Sequence, residues 1–151
     1  MNISESLQGV TSLFLDTAPV IYAVEQNPRY LPLVRVVFNR IEDGLLKGVA
    51  SLVTLAECLV PPYRLGQTEL QQDFIELITD TENITFKSII GQNRALQAAQ
   101  IRARYNLQLP DAFQIVVALA AECEAILTND ATFRRVTELR VLVLDDLETA
   151  Q

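Results

Sequence analysis

Asp16, Glu57, Asp111 and Asp130 each stand where an apolar run gives way to a turn or to the start of a helix. Asp16 follows Leu13-Phe14-Leu15, Glu57 comes shortly after Val49-Ala50-Ser51-Leu52-Val53, Asp111 follows Leu109-Pro110, and Asp130 follows Ala125-Ile126-Leu127-Thr128-Asn129. In an open parallel α/β sheet the carboxyl ends of the strands share one edge, and ligands bind in the crevice there. The four acids are therefore expected to converge. Such a cluster cannot stay fully ionised without a counter-charge, and an all-oxygen donor set suits magnesium or manganese over softer metals. The chemistry implied is metal-dependent phosphodiester hydrolysis.

Each acid also has a structural role open to it. Asp16 can cap a helix beginning near Pro19, and Asp130 can cap the turn before Phe133. Glu57 completes a capping box with Thr54, and Asp111 lies in a first helical turn, where the helix dipole favours negative charge. Caps do not require every relevant strand end to carry an acid. It is the joint arrangement that points to ligation, and helix N-termini aimed at the same edge would also receive phosphate.

The rest of the composition narrows the chemistry. There is no histidine, which removes Ser-His-Asp triads, Cys-His dyads and His-containing zinc sites. Cys58 and Cys123 form neither a CxxC motif nor a disulfide framework and are expected to be buried free thiols. The net charge of −7 argues against a broadly cationic nucleic-acid surface. Among the 12 basic residues only Lys47 and Lys87 are lysine, and arginine is the side chain better shaped for bidentate phosphate contact. Arg102 and Arg104 precede Asp111, and Arg134 and Arg135 follow Asp130. These four are candidate nucleic-acid phosphate contacts, with solvated helix faces as the alternative.

The elements that must position these residues alternate strand and helix without a repeat or a linker. Strands are expected at Val10 to Leu15, Val49 to Val53, Ile84 to Phe86, Ala125 to Leu127 and Val141 to Leu144. Helices are expected from Pro19 to about Glu25, Pro32 to Leu46, Thr54 to a stop or kink at Pro61-Pro62, Thr68 to Ile78, through Ala95 to Asn106, and from Pro110 through Ala112 to Cys123. The last is apolar round nearly its whole circumference and should be central. The expectation is one α/β domain spanning 1–151, with a mainly parallel sheet of about five strands and helices on both faces. The start Met1-Asn2-Ile3-Ser4-Glu5 lacks the basic and apolar regions of a signal peptide, and no apolar run reaches the length of a membrane span, so a cytoplasmic protein without membrane association is expected.

The segments Leu15-Asp16-Thr17-Ala18-Pro19-Val20-Ile21-Tyr22, Ser51-Leu52-Val53-Thr54-Leu55-Ala56-Glu57, Leu109-Pro110-Asp111-Ala112 and Leu127-Thr128-Asn129-Asp130-Ala131-Thr132-Phe133 resemble the signature blocks of PIN domains in order and spacing. The resemblance runs from about Leu13 to Val143, nearest to the VapC-like toxins of type II toxin–antitoxin systems. It implies a three-layer α/β/α fold and an endoribonuclease using magnesium or manganese. Asp16, Glu57, Asp111 and Asp130 match the family's acidic positions, and Thr128 a hydroxyl often found beside them. Thr17 and Asn129 are further candidates for orienting ligands or water. The chain departs from the pattern at Ala18, where many relatives carry Asn.

On this resemblance Asp16 and Asp111 hold a divalent ion directly, with Glu57 and Asp130 completing a second site or holding its waters. A cognate antitoxin would lay a tail across the acidic cleft, and an arginine inserted among the carboxylates would supply their missing counter-charge. A homodimer is also implied, with apolar faces around Leu31 to Val37 and Leu59 to Leu65 available for it. Two other readings belong to different classes: a PIN-like module that binds without cutting, and a phospho-accepting regulatory domain with Asp16 as acceptor. The second is disfavoured because neither Lys47 nor Lys87 follows a late strand, where it would contact a phosphoryl group.

Overall fold

Short apolar runs bounded by turns build strands β1 (Ser12–Leu15), β2 (Lys47–Ser51), β3 (Ile84–Lys87), β4 (Ala125–Thr128) and β5 (Arg140–Val143). The computed structural model describes residues 1–88 and 91–149, so positions 150 and 151 of the expected 1–151 unit lie outside the described residues. The strands form one sheet in the order β3-β2-β1-β4-β5, and every neighbouring pair is parallel. Helix α1 (Ile3–Ser6) precedes β1; α2 (Thr17–Val24), α3 (Leu31–Glu42), α4 (Leu52–Leu65), α5 (Thr68–Thr79), α6 (Gln92–Tyr105) and α7 (Leu109–Ala120) lie in pairs between β1, β2, β3 and β4, and the 3₁₀ turn Ala131–Arg135 lies between β4 and β5. Parallel strands need such crossovers, because no tight turn can join them.

Alternation along the strands explains the three layers. Leu13, Leu15, Ala125 and Leu127 point to one face and pack with Val20, Val34, Ile41, Cys58, Phe74 and Ile78 from α2 to α5. Phe14, Val49 and Ile126 point to the other and pack with Ile101, Ile115 and Val116 from α6 and α7. Each such side chain contributes about 1.5–3 kcal/mol on burial, and the two faces together hold the sheet between helical layers. α3 comes close to the sheet at Gly48, where a Cβ would lie 3.1–3.2 Å from Ile41, Ile84 and Leu15 side-chain carbons. Cys58 and Cys123 are buried and free, as expected. No helix among the described residues is long and apolar enough to cross a membrane.

Several boundaries differ from the sequence expectation: β1 begins at Ser12 rather than Val10, α3 ends at Glu42 short of Leu46, α7 ends at Ala120 short of Cys123, and α4 differs at both ends. β2 ends at Ser51, and α4 already begins at Leu52. The Ser51 hydroxyl accepts from the Val53 and Thr54 N–H groups, and the Thr54 hydroxyl accepts from the Ser51 N–H, so the capping box is Ser51/Thr54 and Glu57 is no part of it. α4 also continues through Pro61 and Pro62 to Leu65, stopping at Gly66 with φ 67°. Those prolines lack N–H donors, leaving the carbonyls four residues back, of Glu57 and Cys58, without intrahelical partners. Past them, the Pro62 carbonyl accepts from the Gln67 N–H and the Gln71 amide, tying α4 to α5.

Candidate functional site

β1 is the central strand. The chain leaves it toward β2 and β3 on one side, then returns to β4 and β5 on the other. The crevice beyond the ends of β1 and β4 is thus the point where strand order reverses, the place such sheets offer to ligands. Asp16 ends β1, its N–H donating to the Leu127 carbonyl at 3.0 Å, and Thr128 to Asp130 end β4. α7 brings Asp111 to the site in its first turn, and α4 brings Glu57.

Asp16 occupies the N-cap position of α2 yet makes no side-chain cap bond. Its Oδ2 accepts from the Thr128 hydroxyl at 2.7 Å, and its Oδ1 accepts from the Gln114 amide at 3.3 Å. It is 6% exposed, and burial pushes its carboxyl above the ordinary value against the opposing pull of donors from Thr128, Thr17 and Gln114. Asp111 is half-buried, and its carboxyl is pushed from 3.8 up to about 7, first by burial and then by the charges of Asp16, Asp130 and Glu57. Asp16, Asp130 and Glu57 therefore all lie within electrostatic reach of Asp111, and no cation figures among the groups that shift it.

Glu57 and Asp130 are exposed. Glu57 Oε1 accepts from the Thr17 hydroxyl at 2.8 Å. Asp130 Oδ1 accepts from the N–H and the hydroxyl of Thr132, at 2.9 and 2.7 Å, so Asp130 caps the 3₁₀ turn Ala131–Arg135. As they stand, no group of three or more Asp, Glu or Cys side chains among the described residues could hold a metal ion. Electrostatic proximity and this wider spacing are compatible, because the two exposed acids are turned onto hydroxyl partners, Glu57 onto Thr17 and Asp130 onto Thr132. The donor chemistry fits a hard divalent cation, which would relieve the repulsion that raises Asp111.

The supporting residues divide. Thr17 orients Glu57, and Thr128 joins two acids, because its hydroxyl also accepts from the Asp130 N–H at 3.0 Å. Asn129 faces away from them, accepting from the Asp145 N–H at 3.0 Å and donating to the Tyr22 hydroxyl at 3.2 Å. The arginines are engaged within the chain. Arg102 donates to the Leu107 carbonyl, and Arg135 to the Tyr105 and Asn106 carbonyls at the end of α6. Arg134 forms a two-pronged pair with Asp146, and Arg104 lies 3.5 Å from Glu138. Sequence reasoning missed Gln114, Ser51 and Thr54, which are buried beside Asp16. The available signal was a glutamine inside the apolar run from Ala112 to Ala121.

The PIN domain family model matches residues 13–139. The structure is similar to that of VapBC2 from Rickettsia felis bound to a DNA fragment from their promoter, with TM-score 0.66 and 15% identity over 87% of this chain and 97% of that chain. It is also similar to a toxin–antitoxin complex from Klebsiella pneumoniae, with TM-score 0.62 and 21% identity over 89% of this chain and 98% of that one. Comparison with curated protein sequences gives no match.

Proposed function

The chain belongs to the PIN domain family, and on that footing we propose that it is a divalent-metal-dependent endoribonuclease, the toxin of a toxin–antitoxin pair. The observation that carries the reading is that Asp16, Glu57 and Asp130 all lie within electrostatic reach of Asp111 at the reversal point of the sheet, where burial and then these three charges raise Asp111. Asp16 and Asp111 would hold magnesium or manganese, and Glu57 and Asp130 would complete the set or hold its waters. When bound, the cation activates water for attack on phosphorus and neutralises charge on the phosphoryl oxygens.

The chain's own residues prepare that chemistry. Thr128 and Gln114 fix the Asp16 carboxylate in place. Thr17 holds one oxygen of Glu57 and leaves the other for water or ligand. The N-terminus of α7, with Asp111 in its first turn, directs its positive dipole end toward the edge where phosphate would lie. Arg104 and Arg134, each half-exposed or more at the side chain, could exchange their acidic partners for flanking phosphates.

The antitoxin partner follows from the toxin reading and is supported by the two similar structures, both toxin–antitoxin complexes. An arginine from such a partner would find an acidic site lacking a counter-charge. A homodimer would use the exposed Val60, Tyr63 and Leu65 on α4 rather than Leu33, Val34 and Val37, which are core. A cytoplasmic location and a single domain are part of the same proposal.

The test is cleavage of a mixed cellular RNA pool by purified protein with Mg2+, Mn2+ or EDTA, beside Asp16→Asn checked by circular dichroism. Metal-dependent cutting lost in the folded variant supports the proposal, and equal cutting by the variant refutes it. The wide spacing of the exposed acids favours one competing reading, a module that binds without cutting. Saturable Mn2+ binding with no cleavage would support that reading.

A further inference from the structure

The described chain buries few polar side chains: Ser6, Asp16, Ser51, Thr54, Gln114 and Thr128. All but Ser6 belong to one hydrogen-bond network centred on Gln114. Ser51 Oγ donates to Gln114 Oε1. Gln114 Nε2 donates to Thr54 Oγ1 at 2.9 Å and to Asp16 Oδ1 at 3.3 Å. Thr54 in turn donates to the Leu15 carbonyl at 3.1 Å.

The direction of the amide follows from counting protons. Each hydroxyl has one to give; Thr54 gives its own to Leu15, and Ser51 gives its own to Gln114. Thr54 Oγ1 must then accept, and only the Gln114 NH2 group is placed to donate to it and to Asp16 together. Turning the amide over would set Oε1 against the Asp16 carboxylate, two acceptors with no proton between them. Both oxygens of Asp16 therefore take a fixed donor, Gln114 on one and Thr128 on the other, which fixes the plane of the carboxylate.

We propose that Gln114 is a positioning residue for Asp16, forming with Ser51 and Thr54 an amide lock that holds this carboxylate in the orientation a divalent cation requires. The inference rests on the metal-dependent reading above. Packing alone gives no reason for an amide here, since the neighbours of Gln114 on α7, Ile115 to Ala118, are buried and apolar and an aliphatic side chain would bury without needing partners. Gln114 also lies one helical turn beyond Asp111 on α7. One helix thus delivers the second carboxylate and orients the first, coupling their separation to its own seat on the sheet.

The experiment is calorimetric titration of Mn2+ into the metal-free protein, comparing wild type, Asp111→Asn and Gln114→Met, with thermal unfolding of each in EDTA. Methionine keeps the unbranched shape and removes every hydrogen bond. The folded Gln114→Met variant should bind Mn2+ about 10–100-fold more weakly, the loss that removing an outer partner of a metal ligand brings. A purely structural role would lower the Tm and leave the Mn2+ Kd within about twofold of wild type, and that result overturns the proposal. Should Gln114→Met not fold, Gln114→Asn, whose amide falls one methylene short, should show the same weakening. Loss of fold in both variants would assign Gln114 to the core and also overturn it. Failure of the metal-dependent reading is distinguishable, because wild type and Asp111→Asn would then both show no Mn2+ binding.

Discussion

Removing the Asp111 charge should stabilise the metal-free protein. In the folded state the carboxyl of Asp111 is raised from 3.8 to about 7, so the native chain holds this proton to higher pH than the unfolded chain does. Stability linked to Asp111 is thus fully present below about pH 4 and is lost as pH rises to about 7. The shift of about 3 units, at about 1.4 kcal/mol each, sets a ceiling of about 4 kcal/mol. Half the group faces water, and solvent and salt screen its neighbours, which reduces the expected penalty to about 1–2 kcal/mol. Urea unfolding in EDTA at pH 5.5 and pH 8 reads it, above the range where Glu124 titrates. The carboxyl of Glu124 is lowered because hydrogen bonds from Thr11 and Ser12 outweigh its burial, so it contributes in the opposite sense, below about pH 5. Wild type should be less stable at pH 8 than at pH 5.5, and Asp111→Asn should flatten that slope and raise the Tm at pH 8 by about 2–4 °C per kcal/mol. Mn2+ should reverse the order by stabilising wild type and not the variant. Wild type as stable in EDTA at pH 8 as at pH 5.5, or Asp111→Asn less stable than wild type at pH 8, would refute the reasoning.

Thr128→Val removes the donor to Asp16 Oδ2 and the acceptor for the Asp130 N–H, and should cost about 1–3 kcal/mol in urea unfolding; an unchanged midpoint and slope would show that water replaces both bonds. Gly48→Ala should cost about 1–3 kcal/mol, because Ile41, Ile84 and Leu15 must all give way, and a Tm equal to wild type would show that the helix layer yields freely. Arg134→Ala breaks an exposed pair with Asp146 and should change stability by less than about 1 kcal/mol. If Arg134 steadies a phosphate, the salt dependence of RNA binding should become shallower in that variant, and an identical slope would remove it from the interface.

The sheet and its layers were legible because they depend on periodicity and on where strands end, and Asp16 and Asp130 stand just past two of those ends. Leu13 and Leu15 alternate with Phe14 between two cores, and that alternation is written in the sequence. Helix starts were less legible. Ser51 and Thr54 are separated by the same interval as Thr54 and Glu57, and only the pairing of β2 with its neighbours decides which hydroxyl caps the helix. Pro61-Pro62 reads as a stop or a kink, and α4 runs on through both prolines to Leu65 with Leu59 and Pro62 buried. Gln114 was hidden by its surroundings, since an apolar helix averages out one polar residue. The physical signal is that a buried amide needs partners, but nothing in a single sequence says which residues supply them. The arginines illustrate the opposite limit: their spacing suggested phosphate contacts, whereas carbonyls at the end of α6 and the carboxylates of Asp146 and Glu138 engage them within the chain.

The central place of β1 has a consequence for the order of synthesis. The donors that fix Asp16 come 98 and 112 positions after it, on α7 and β4. A chain emerging from the ribosome exposes its N-terminal part first, so Asp16 is without Gln114, Thr128 or the crevice between β1 and β4 while all the intervening elements are made. The site closes only when the late segments arrive and dock on both sides of the first strand. Products of translation that stop before β4 therefore carry the acidic residue without the site.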